Sequence, residues 1–224
     1  MTETTPRLRI TRRSGKVHVV AAPGAVLDVD GGSFVHCDDG TVDIRALGGS
    51  TLEVRCPAGS DLTISTGSGG IAVEGDAGSV KVITKSGALT IERAAAVEAR
   101  GASGRVEVGV CAGECHAVFV SSNVHIGEAH RAVVATVSGN IDVGAVDDAE
   151  VKTVSGRVKL GARGGGRLVA RAISGSISVS VPTGSRPATR LKAVSGHVRC
   201  EPEPGHDGEV KIASVSGAIS VTCR

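Results

Sequence analysis

A seven-residue motif, apolar-Ser-Gly-x-apolar-x-apolar, recurs at near-constant spacing and limits the folds open to this chain more than any other feature. It reads Val137-Ser138-Gly139-Asn140-Ile141-Asp142-Val143 and returns from Val154 to Leu160, Ile173 to Val179, Val194 to Cys200 and Val215 to Val221. Weaker copies stand upstream at Ser68-Gly69, Ser86-Gly87 and Ser103-Gly104, and Ser122 takes the glycine's place in Ser121-Ser122-Asn123-Val124-His125-Ile126. The glycine column (69, 87, 104, 139, 156, 175, 196 and 217, with Ser122 in register) advances by 17 to 21 residues at each step.

Each copy alternates. Val154, Gly156, Val158 and Leu160 share one parity, while Ser155, Arg157 and Lys159 share the other. A period of two predicts a β-strand with one buried face, and Val and Ile suit its pleated surface. The first parity, Val154 included, is expected to face inward. The glycine column then marks either a backbone turn with positive φ or an interior too narrow for a side chain. The serine before it is expected to face outward and bond the local backbone.

A strand-rich unit of this length cannot bury its own apolar face, but stacked copies bury a continuous one. The expected fold is all-β: a single-stranded parallel β-solenoid (right-handed β-helix) with 17–21 residues per coil. Residues 1–6 read as a flexible arm, 7–60 as divergent N-terminal coils forming a cap, and 61–224 as regular coils of the same domain. Stacking puts Arg105, Asn123, Asn140, Arg157, Ser176, His197 and Ala218 in one outward column. Glu107, His125, Asp142, Lys159, Ser178, Arg199 and Ser220 form the next. Mixed signs there avoid like-charge repulsion. The last strand runs to Cys223-Arg224, so the C-terminal coil is expected to leave an uncapped edge open to self-association.

Composition narrows function. The net charge is +2 over 224 residues, which gives no field for nucleic acid. Only Phe34 and Phe119 are aromatic, so stacking on bases or sugars is excluded as a main recognition mode. Arg12, Arg13 and Lys16 precede the apolar stretch Val19 to Leu27, but Pro23-Gly24 breaks it, so strand-turn-strand fits better than a secretory signal. No run reaches the roughly 20 apolar residues of a membrane span. The expected location is cytoplasmic, with no direct membrane insertion.

Reactive clusters are sparse. The cysteines at 37, 56, 111, 115, 200 and 223 are expected to be buried free thiols, with Cys200 and Cys223 facing the core. Cys111-x3-Cys115-His116, with His125 and His130 downstream, has zinc-like content, but a loop with chance thiols explains it better. His36-Cys37-Asp38-Asp39 is weaker still. Gly67-Ser68-Gly69-Gly70 and Gly164-Gly165-Gly166 lack the Lys-Ser/Thr of a phosphate loop, and no G-x-S-x-G elbow occurs. No catalytic, cofactor-binding or metal-binding residue is assigned, and no cofactor is expected. Two insertions, Pro182 to Pro187 and Glu201 to Gly208, lengthen late coils and are expected to project from one side.

The iterated V-S-G-x-I-x-V pattern, preceded by Thr136, Thr153 or Ala193, resembles the bacterial putative-adhesin β-repeat family, a toast-rack-like domain of unknown function. The resemblance covers about residues 60–224 and implies a right-handed β-helix; it carries no catalytic residues. The bactofilin family, a small β-helix that polymerises through its ends, is a looser likeness. The expected function is a non-enzymatic β-helical scaffold or protein-interaction module. The alternatives are a bactofilin-like protein that self-assembles through its C-terminal coil and, remotely, a carbohydrate-active enzyme. The last would need paired carboxylates and aromatic platforms.

Overall fold

The computed structural model describes residues 6–37, 40–46 and 51–224, and no helix forms among them. The chain divides into two units, Met1–Ala112 and Gly113–Arg224. The first holds β1 (Arg7–Ser14), β2 (Val17–Ala22), β3 (Asp28–Asp30), β4 (Gly32–His36), β5 (Thr41–Ala46), β6 (Leu52–Pro57), β7 (Asp61–Ser68) and the start of β8 (Ile71–Ser138). The second holds the rest of β8, then β9 (Ile141–Ser155), β10 (Val158–Ala162), β11 (Arg167–Ser174), β12 (Ile177–Val181), β13 (Ala188–Ser195), β14 (Val198–Cys200), β15 (Glu209–Ser216) and β16 (Ile219–Cys223). Within each unit coils adjacent in the stack pair in parallel and in register, as a β-solenoid requires; Val158, for instance, lies opposite Ile141 on one side and Ile177 on the other.

One coil shows how the core is built. Ile141, Val143, Val146, Ala149, Val151 and Thr153 are all buried. The coil before it buries Val124, Ile126, Ala129, Ala132, Val134 and Thr136. Steps of two run along the strands, and steps of three carry the chain around the corners. Apolar columns therefore stack from coil to coil, which removes their β-branched side chains from water.

The Ser-Gly bend differs from the sequence expectation in one respect. Val137, Val154, Ile173, Val194 and Val215 are exposed, so Val154 and its equivalents face outward. The inward residue at the bend is the one before, Thr136, Thr153 or Ser214. Its hydroxyl donates to the carbonyl of the motif serine, as from Thr136 to Ser138 (2.9 Å) and Thr153 to Ser155 (3.2 Å). The buried threonine, rather than the serine, thus satisfies the bend's carbonyl. Parity flips here because the glycine turns the backbone with positive φ, +137° at Gly156. A Cβ on Gly156 would stand 1.9 Å from the carbonyl oxygen of Gly139 in the adjacent coil. Of the two roles open to glycine, the turn holds, and the obstacle is a neighbouring backbone rather than the core.

Order along the stack does not follow order along the chain. In the first unit β1 lies between β5 and β7, with Leu8 opposite Val42 and Leu62. β2 lies likewise between β6 and β8. In the second unit β15 lies between β11 and β13, with Ile212 opposite Ala170 and Leu191. β16 lies between β12 and β14. The C-terminal coil is therefore paired on both sides, which corrects the expectation that it forms an uncapped edge. The coil of β13 and β14 ends the stack instead. Apolar burial favours this order: the inner coil turns Val210, Ile212, Ser214, Ile219 and Val221 inward, whereas the outer one offers Thr189, Leu191, Ala193, Val198 and Cys200.

Cys200 and Cys223 are exposed rather than buried. Cys200 has inward register, opposite Val221, but its coil has no neighbour beyond it. At the outer end of the first unit the chain covers its own edge, with β4 antiparallel to β5 and β3 antiparallel to β6.

Substituting Gly156→Val should cost about 3 kcal/mol or more, from backbone strain and collision with the next coil. Arg157→Ala, outward on the next residue, should change stability by less than about 0.5 kcal/mol. Thermal melts followed by circular dichroism would check both, and similar melting temperatures for the two variants would contradict this geometry.

Candidate interaction surface

The clusters singled out in the sequence do not converge. Cys115 and His116 are consecutive in an extended strand, so their side chains point to opposite faces; Cys115 is buried and His116 half-buried. Cys111 is buried with its sulfur 4.0 Å from the carbonyl of Ala95. His130 faces outward, with Nδ1 3.0 Å from Asp147. His125 stands opposite Asp142 in the outward column. His36 packs edge-on against Phe34, and Asp38 and Asp39 lie outside the described residues. Among the described residues no three of His, Cys, Asp and Glu gather as metal ligands would.

The two insertions hold each other. Arg186 pairs with Glu203 (2.6 Å), its amide donates to Asp207 Oδ2 (2.9 Å), and the Asp207 amide donates to the Arg186 carbonyl (2.9 Å). Within the second unit, the outward columns read from the sequence also form from Asn123 and His125 onward. Asn123 Oδ1 accepts from the Asn140 amide (3.0 Å), and Asn140 Oδ1 accepts from the Arg157 amide (3.2 Å). Both columns change with the coil order: Ala218 stands between Ser176 and His197, and Ser220 between Ser178 and Arg199.

The face built by β9, β11, β15 and β13 carries more. Its outward columns follow from the pairing register. One holds Glu150, Val169, Lys211 and Arg190; the next holds Lys152, Arg171, Ala213 and Lys192. Beside them runs an apolar ladder of Val137, Val154, Ile173, Val215 and Val194, preceded in the second unit by Val120, with exposures from 41% to 83%. Water therefore meets six stacked β-branched side chains at the rim of a charged face. The sequence displayed every one of these residues. They escaped notice as a surface because simple alternation placed them inside, and only the flip at glycine turns them out.

Charge on this face is unevenly matched. Glu209 lies 2.5 Å from Lys211 and 3.1 Å from Arg167, and the Lys211 ammonium, with help from Arg167, holds its carboxyl below the ordinary carboxylate range. Lys152, at 2.7 Å, does the same for Glu150. No carboxylate among the described residues stands within 4.0 Å of Arg171, Arg190 or Lys192. The cationic groups converge on a shallow groove over Ala213, between β11 and β13.

Comparison with known proteins agrees with this architecture. The family model described as Toastrack DUF4097 matches residues 8–223. A crystal structure of a "putative adhesin" from Bacteroides fragilis superposes with a TM-score of 0.51 at 14% identity, covering 99% of this chain and 93% of that one. A "putative cell adhesion protein" from Clostridium sporogenes aligns over 98% of this chain and 93% of its own at 10% identity, with a TM-score of 0.24. No curated protein matches the chain in sequence.

Replacing Lys211 with methionine should raise the titration midpoint of Glu209 toward its ordinary 4.5, as read by carboxyl carbon NMR. A depressed folded-state pKa stabilises above the unfolded value and loses that effect as pH falls through the folded one. The Lys211–Glu209 pair should therefore weaken only below about pH 4.5.

Proposed function

The chain belongs to the Toastrack DUF4097 family, and from that premise we propose that it is a non-enzymatic scaffold that binds another protein through the outward face of its second unit. The observation that carries this reading is the exposed ladder of Val120, Val137, Val154, Ile173, Val215 and Val194. Contiguous apolar surface beside charge is a feature of protein-binding faces, because its burial supplies affinity while the charges select the partner. The Bacteroides fragilis protein of the same fold is described as a "putative adhesin", which accords with a binding role. A net charge of +2 favours a protein partner over nucleic acid. The exposed thiols of Cys200 and Cys223 suit a reducing compartment and so support a cytoplasmic setting.

A triple variant, Val137→Ser with Val154→Ser and Ile173→Ser, tests the reading. It should melt within a few degrees of the parent, since all three side chains already face water. It should lose partners captured by chemical crosslinking in an extract of the source organism. Unchanged capture would overturn the reading, as would steady turnover of a substrate that depends on one identifiable residue.

A further inference from the structure

The stack of the second unit ends in β13, and that strand has a paired side and an open side. The Ala188 amide donates to the Gly208 carbonyl (2.9 Å) in the bend just before β15. In a parallel ladder a residue's N–H and C=O point to the same side, and consecutive residues alternate. Thr189 and Leu191 therefore turn their backbone groups away from β15, toward an edge where no further strand pairs among the described residues. The first unit covers the corresponding edge with β3 and β4, laid antiparallel on β6 and β5.

Side chains along β13 specify what would fit. Inward, Thr189, Leu191 and Ala193 continue the columns of Val210, Ile212 and Ser214, but they remain half-exposed where those three are buried. Outward, Arg190, Lys192 and Val194 stand in alternation, and neither cation has a carboxylate within reach among the described residues. Arg171, with no carboxylate within 4.0 Å among the described residues, adds a third cation across the Ala213 groove. An added strand would lie about 4.8 Å from β13 with its side chains alternating in the same way.

We propose that β13 accepts an extended acidic segment of another protein as an additional strand. Such a segment would place apolar side chains over Leu191 and carboxylates opposite Arg190 and Lys192. Main-chain hydrogen bonds to Thr189 and Leu191 would give affinity, and the alternating side chains would give selectivity. The complementary charge is what distinguishes this occupant from a second copy of β13, which would bring Arg190 and Lys192 against their own kind. This site is the edge of the stack rather than the outward apolar ladder, so its failure would leave the ladder's role standing.

A fluorescein-labelled peptide alternating glutamate and valine provides the test, read by anisotropy against the full chain. The peptide should bind, and binding should weaken as salt rises. The double variant Arg190→Glu with Lys192→Glu should weaken it by about tenfold or more while keeping the parent's melting temperature. A peptide with lysine in place of glutamate, or one N-methylated along its pairing edge, should bind far more weakly. The triple serine variant of the ladder should bind the acidic peptide as the parent does. Absence of binding would overturn the proposal, as would equal affinity for the lysine or N-methylated peptide. Sedimentation showing chains joined through β13 that the acidic peptide does not separate would also overturn it, in favour of a second copy.

Discussion

Backbone-to-backbone contact at the glycine column is the constraint on which the rest of this structure depends. Coils one strand spacing apart must all bend at the same place, and there each bend lies against the carbonyl of the next. A Cβ at Gly87, Gly156 or Gly217 would stand 1.9 Å from the carbonyl of the neighbouring glycine. Such a distance excludes every side chain, and the positive φ at these positions independently favours glycine. The motif thus records a contact between coils, and the contact keeps every inner column in register.

Fixing the bend also fixes the faces. Before the glycine, Val151 and Thr153 point inward; after it, Val158 and Leu160 do. The intervening step is odd, so the residue between threonine and serine is turned into water. Valine or isoleucine at that position adds nothing to the core. Its β-branched side chain suits the strand, and its recurrence produces the exposed ladder. The proposed binding face is in this sense a by-product of how the bend changes parity.

Much of the architecture was legible in the residues. The Ser-Gly spacing gave the coil, the apolar alternation of Ile141 with Val143 and of Val158 with Leu160 gave the strands, and register predicted the outward pairings of Asn123 with Asn140 and His125 with Asp142. The faces at the bend were not legible, because alternation by twos carries no sign of where a positive φ interrupts it. The edge was not legible either. Copies such as 188–200 and 209–223 carry the same motif, so each satisfies the same register, and only the comparison of their inward side chains ranks them. Cys200 illustrates both points: its parity was read correctly, yet it is exposed because its coil comes last.

The sequence alone determined the local rule of this protein: one bend, one glycine, one alternating strand after it and an inward set of Val, Ile and Leu per turn of chain. That rule is local because it depends on backbone dihedrals and on side-chain alternation, both properties of a few consecutive residues. Tertiary structure decided which coils are neighbours. The first coil inserts between the next two, and the last inserts beneath the one before it, where its more apolar inward set gains a neighbour on each side. That competition among equivalent coils, settled by burial, leaves β13 and its cationic alternation at the open edge.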